Sequence, residues 1–178
     1  MSFKNIDWTA EHAAGGSRMI PAGGYVAIIT AVEDVDSREY LRFTYDIAEG
    51  PCAGFFADDD REYTHQFTRS YTAKARGFMK RFLDCIEASN DNFSLSAWNG
   101  DERDLVGKKV GVLIQREDYT NRDGEDRARM NVEGYTTAND IRANKFKLPE
   151  PKDSRDKSAA VTAAPADAYA DDADIPFL

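Results

Sequence analysis

The sequence predicts a mainly β domain of five strands, with one helix between the third and the fourth and an acidic tail behind the domain. Three observations carry this. Residues 25–32, 40–47 and 63–69 are short runs that are either apolar throughout or alternate between apolar and polar. Residues from about 73 switch to helical spacing. Two further β-rich runs, 106–115 and 127–135, flank a charged loop with turn residues at Asn121 and Asp123-Gly124.

Residues 1–19 are polar and glycine-punctuated and read as a lead-in. The run 25–32 (YVAIITAV) is short, apolar and β-branched, as a strand covered on much of both faces would be. In 40–47, Leu41, Phe43, Tyr45 and Ile47 alternate with Tyr40, Arg42, Thr44 and Asp46, so one face is buried and the other is polar and aromatic. Gly50-Pro51 stops that strand, and a loop with Phe55, Phe56 and three aspartates leads to the third, 63–69. Phe78, Phe82, Leu83 and Ile86 mark the apolar stripe of the helix, which ends at Ser89-Asn90-Asp91-Asn92. The last two strands form a hairpin, and a short helical or irregular piece follows near 139–144.

Beyond residue 147 the composition turns to Pro, Ala, Asp, Ser and Lys, so the expected layout is a domain over 20–147, a disordered linker over 148–169 and a tip over 170–178. Of the net charge of -9, -3 falls beyond residue 150; the remaining -6 comes from 26 acids and 20 bases. An acidic body excludes a strong, indiscriminate polyanion binder and confines any nucleic-acid site to a local stripe. Two cysteines without CxxC spacing and two distant histidines make a zinc set unexpected; no cofactor or metal is expected. No apolar run has the length of a membrane span and the N-terminus has no signal-peptide pattern, so the expected location is the cytoplasm of a bacterial host.

Three strands, a helix and two strands is the succession of the OB-fold, a small Greek-key barrel that binds oligonucleotides. The ending Asp171-Asp172-Ala173-Asp174-Ile175-Pro176-Phe177 resembles the acidic C-terminal tip of bacterial single-stranded-DNA-binding proteins, with Leu178 following the Phe that is terminal in that family. The stretch 40–51 (YLRFTYDIAEGP), with Gly54-Phe55-Phe56, is similar to the second-strand signature of phage and mobile-element proteins implicated in binding single-stranded DNA. The resemblance implies an OB-fold that coats exposed strand and recruits replication, recombination or repair proteins. It implies docking of that partner through Ile175, Pro176 and Phe177, behind Asp171, Asp172 and Asp174.

Single-stranded nucleic acid needs rings to stack on and cations along the phosphate track. The outward sets that qualify are Tyr40, Arg42 and Thr44 on the second strand and Arg127, Arg129 and Asn131 on the fifth, with His65, Arg116 and Arg122 as weaker candidates. Phe67 is expected in the core; Phe55 and Phe56, adjacent in a glycine-bounded loop, cannot both point inward if that segment is extended, which leaves one of them either a base-stacking wedge or packed over the barrel end. The basic residues of the helix, Lys74, Arg76, Lys80 and Arg81, read as a solvated face. No catalytic residue is expected: the acidic clusters lack metal-ligand spacing and a partnered base, and Cys85 lies beside the apolar stripe of the helix. The expected function is non-enzymatic, largely sequence-independent binding of single-stranded DNA; the alternative is an acidic phage interaction module, an inhibitor or adaptor that does not bind DNA, and a metal-dependent nuclease comes third. Association into a homo-oligomer is left open.

Overall fold

The structure, a computed structural model, describes residues 19–59 and 61–155. The elements run β1 (Gly23–Val35), β2 (Tyr40–Ile47), β3 (Gln66–Ser70), α1 (Arg76–Ser89), β4 (Lys109–Thr120), β5 (Asp126–Thr136), α2 (Ala138–Arg142) and β6 (Lys152–Asp153). The tip at 170–178 and the expected linker from 156 onward lie outside the described residues.

β1 is the organising strand. Its first half, from Gly23 to Ile28, pairs antiparallel with β4, while Ala27 to Val35 pairs with β2, and a register shift between Ile29 and Ala31 bends the strand so that it can serve both neighbours. Val26 and Ala27 are consecutive and both buried, as expected for a strand covered on both faces. In β2 the alternation holds residue for residue: Leu41, Phe43, Tyr45 and Ile47 are buried and Tyr40, Arg42, Thr44 and Asp46 are half-exposed. Phe43 stacks on Phe67 of β3 with centroids 5.1 Å apart, and Phe82 of α1 meets both rings edge-on. Phe67 is therefore in the core, as expected.

α1 buries Met79, Phe82 and Ile86. Phe78, expected in that stripe, is instead 65% exposed, because the buried stripe runs through Met79 one residue later. The helix is fastened at its end by Asn90, whose Nδ2 donates to the carbonyls of Ile86 and Lys109 while its Oδ1 accepts from the Lys109 amide. A second layer covers the other face of β1 and β4: α2 and the arm after it lie over Gly24 and Gly111, where an added Cβ would fall within 3 Å of Ile141, and at Gly24 of Phe146 also. The arm ends by adding β6 parallel to β4, with the Ser154 amide donating to the Asp118 carbonyl. No helix among the described residues is long and apolar enough to cross a membrane.

The expected OB-fold barrel is not formed. The sheet is six-stranded and mixed, its path runs β3-β2-β1-β4-β5 with β6 on β4, and it stays open between β3 and β5; with two helices the fold is mixed α/β. The succession of elements is the expected one, but closure requires the two end strands to exchange backbone hydrogen bonds. β3 is five residues long and pairs only with β2. Across the seam, side chains stand where a ladder would be: the Arg69 guanidinium of β3 sits 4.8 Å from the Tyr135 ring of β5, and α1 touches both strands.

Candidate functional site

The open seam places two features side by side. At the α1 end, Arg69 lies over the rings of Phe67, Phe82 and Tyr135, at 5.1, 5.4 and 4.8 Å, and the Tyr135 hydroxyl donates to the Phe78 carbonyl. The Arg69 Nε is buried without a hydrogen-bond partner, and burial lowers the pKa of the guanidinium. At the other end, between the β2–β3 loop and the first half of β5, is a groove of about 510 Å³. Ile20, Tyr45 and Phe56 are its buried floor, Met130 and Ala128 its β5 wall, and Arg61, Arg127 and Arg129 stand at its rim.

The floor is built locally. Asp46 Oδ1 accepts from the amides of Ile47 and Phe56, which folds the β2–β3 loop back so that Phe56 packs edge-on against Tyr45. Phe55 stays half-buried beside it, in a loop of successive turns rather than an extended segment. His65 is buried, stacked on Phe56 at 5.0 Å, with Nδ1 3.2 Å from the Thr64 hydroxyl. Thr64 Oγ1 in turn donates to Asp59, which also receives the Arg61 amide and guanidinium.

The Arg61 hydrogen bonds hold the Asp59 carboxyl at about 2, below its ordinary 3.8. A depressed carboxylate contributes stability that is fully present above its unfolded pKa and is lost as pH falls through the folded one. The thermal midpoint is therefore expected to drop as pH falls from about 4 to about 2, and the gap between wild type and Asp59→Asn to close over that interval. A gap that stays constant from pH 6 to pH 2 would refute the assignment.

The residues predicted to bind single-stranded DNA are not assembled into one track. Arg42 is tied to Glu33 at 2.6 Å and to the Tyr40 hydroxyl, and Thr44 accepts from Gln66. Arg116 pairs with Asp118 at 2.8 Å and Arg127 with Glu125 at 2.5 Å. Arg129 and Asn131 both donate to Glu117, whose other oxygen accepts from Ser154, so the outward face of β5 at these positions is occupied by the chain itself. Arg122 is exposed in the β4–β5 turn and His65 is buried against Phe56. The tip residues Asp171, Asp172, Asp174, Ile175, Pro176 and Phe177 lie outside the described residues.

No protein-family model and no curated protein matches the chain.

The single-stranded-DNA reading is corrected together with the fold on which it rested. Its mechanism needs a closed OB barrel presenting a stacking and phosphate track, and the sheet is open. Four of the five arginines assigned to that track are each matched by a carboxylate. The groove itself was missed by the sequence reading. Tyr45 and Met130 read as ordinary inward-facing strand residues, and only the failure of the sheet to close leaves them lining a depression. A sequence signal did exist for one of the ion pairs: Arg116 and Asp118 are two apart on one strand and so share a face, whereas Glu125 pairs with Arg127 from the turn just before β5.

Proposed function

We propose that the chain is a non-enzymatic protein-interaction module that seats an extended segment of a partner protein in the seam beside β5. The observation that carries this is the coincidence of a free strand edge with an apolar-floored groove. β5 is eleven residues long and ends the sheet path, so its outer main-chain groups have no strand neighbour among the described residues. Such an edge is a template for an added strand, which binds through main-chain hydrogen bonds and gains selectivity from pockets under alternate side chains. Here the pocket is the groove over Ile20, Tyr45 and Phe56, with Met19, 41% exposed, at its mouth. The rim carries both charge signs, Asp59 opposite Arg127 and Arg129, which suits a polar-flanked peptide better than a polyanion.

The test is selection of extended peptides from a displayed random library, followed by affinity measurement against the wild type and Met130→Asp. The reading expects enrichment of sequences alternating apolar and polar residues, and at least tenfold weaker binding to Met130→Asp, about 1.4 kcal/mol. A library that yields no binder, or binders indifferent to Met130→Asp, would reject it. Within this reading the tip, with Asp171, Asp172 and Asp174 before Ile175, Pro176 and Phe177, is a second peptide that a partner with a basic, apolar pocket would grip.

A further inference from the structure

The most basic stretch of the chain lies away from the groove. No Asp or Glu occurs between Glu62 and Asp84, an interval that contains Arg69, Lys74, Arg76, Lys80 and Arg81, in a chain of net charge -9. The last four are exposed on the first half of α1 and the turn before it. Lys80 pairs with Asp84. Arg76 donates to the Tyr71 carbonyl, and among the described residues Lys74, Arg76 and Arg81 have no carboxylate partner. In their midst is Phe78, the most exposed large hydrophobic side chain described, at 65%, next to Gly77, where an added Cβ would meet nothing within 4 Å. Phe78 and Arg81 are one helical turn apart and so share a face.

We infer that this face of α1 is the docking site of the chain's own acidic end, residues 171–178. The two surfaces are complementary in kind. The end carries Asp171, Asp172 and Asp174 and then Ile175, Pro176, Phe177 and Leu178, while the helix face offers unpaired cations around an exposed ring. The other two exposed large hydrophobics do not match it. Met19 lies at the groove, whose rim arginines Arg127 and Arg129 are tied to Glu125 and Glu117. Val106 follows Glu102 and Asp104, with Arg103 tied to Asp101. Reach is no obstacle: the sixteen residues from Arg155 to Asp171 span up to about 55 Å, against a radius of gyration of about 14 Å for a domain of this size. This inference stands independently of the groove. Its consequence is that a partner gripping the tip must compete with α1 for it.

The test compares backbone amide spectra of the full chain with those of the full-length variant Ile175→Ser/Phe177→Ser. Docking predicts shifts in residues 74–82 and at Tyr135, and the same shifts on raising salt. Lys74→Glu/Arg81→Glu, which replaces two exposed residues, is expected to move the signals of the tip itself, and restoring attraction with Asp171→Lys/Asp174→Lys is expected to return them. Unmoved signals over 74–82 in the tip variant overturn the inference. Shifts that vanish on dilution also overturn it, by assigning the site to the tip of a second copy.

Discussion

Gly111→Val is expected to destabilise the protein by about 3 kcal/mol, at the upper end of overpacking costs. A Cβ at Gly111 would stand 2.7 Å from the Thr137 carbonyl oxygen, 2.8 Å from Ile141 Cγ1 and 2.9 Å from the Thr136 carbonyl oxygen. Two of those three atoms are backbone, at the junction where β5 ends and α2 begins. That junction cannot retreat, because the Thr137 hydroxyl accepts from the Asp140 amide and the Ala138 amide donates to Ser89 at the end of α1. Gly24 provides the internal comparison. Its Cβ would come closer still, 2.5 Å from Phe146 Cζ, but it meets only side-chain ends that can swing aside. The expected order of urea midpoints is wild type, then Gly24→Ala, then Gly111→Ala, then Gly111→Val. A Gly24→Ala variant less stable than Gly111→Ala would show that the arm, not the β5–α2 junction, is the rigid part of this layer.

The same close approach explains why much of the second layer was not legible in the sequence. Local pattern reaches as far as local forces do. The period-two alternation of 40–47 became β2 with no change of register, and the hairpin at Asn121 to Gly124 formed where its turn residues stand, with the Asn121 side chain accepting from the amides of Asp123 and Glu125. Closure of a sheet is different, because it depends on whether two strands distant in sequence can bring their edges together. Nothing in 66–70 announces that Arg69 will fill the seam against Tyr135. The arm was equally hidden: its composition reads as linker, and it is held by Gln115 donating to the Pro149 carbonyl and by Ser154 on Glu117, contacts that only the fold creates.

Candidate sites failed for a related reason. Outward-facing arginines are easy to find from alternation, but the free charge of each depends on its cross-strand neighbour. Arg42 faces Glu33 because Glu33 and Arg42 are register partners on β1 and β2, and Glu117 and Arg129 are register partners on β4 and β5. Knowing the strands without the register leaves those charges uncounted. On α1 the error ran the other way: a stripe displaced by one residue put Phe78 outside and turned an unremarkable basic helix face into a surface with an exposed ring.

Glu117→Ala is the second substitution with a large expected effect, a loss of about 2–3 kcal/mol. Glu117 is only 9% exposed, and its two oxygens gather Arg129, Asn131 and Ser154 from β5 and the arm. Truncation leaves the half-buried Asn131 and Ser154 and the exposed Arg129 without their acceptor, and it unfastens Ser154, which together with β6 holds the arm to β4. The Arg129 hydrogen bond, reinforced by Ser154 and Asn131, lowers the Glu117 pKa against the opposing effect of burial. Its contribution is therefore present at neutral pH and declines as pH falls below the ordinary carboxylate range. Glu117→Gln keeps an acceptor oxygen and loses the charge, so it should be less damaging than Glu117→Ala and should lose that part of the pH dependence. Hydrogen exchange separates this account from simple loss of an ion pair: the Ser154 amide, which donates to the Asp118 carbonyl, should lose protection in Glu117→Ala but not in Arg129→Met. A Glu117→Ala variant within about 0.5 kcal/mol of wild type, with the arm still protected, would mean that Phe146 over Gly24 and the Gln115–Pro149 bond hold the arm unaided.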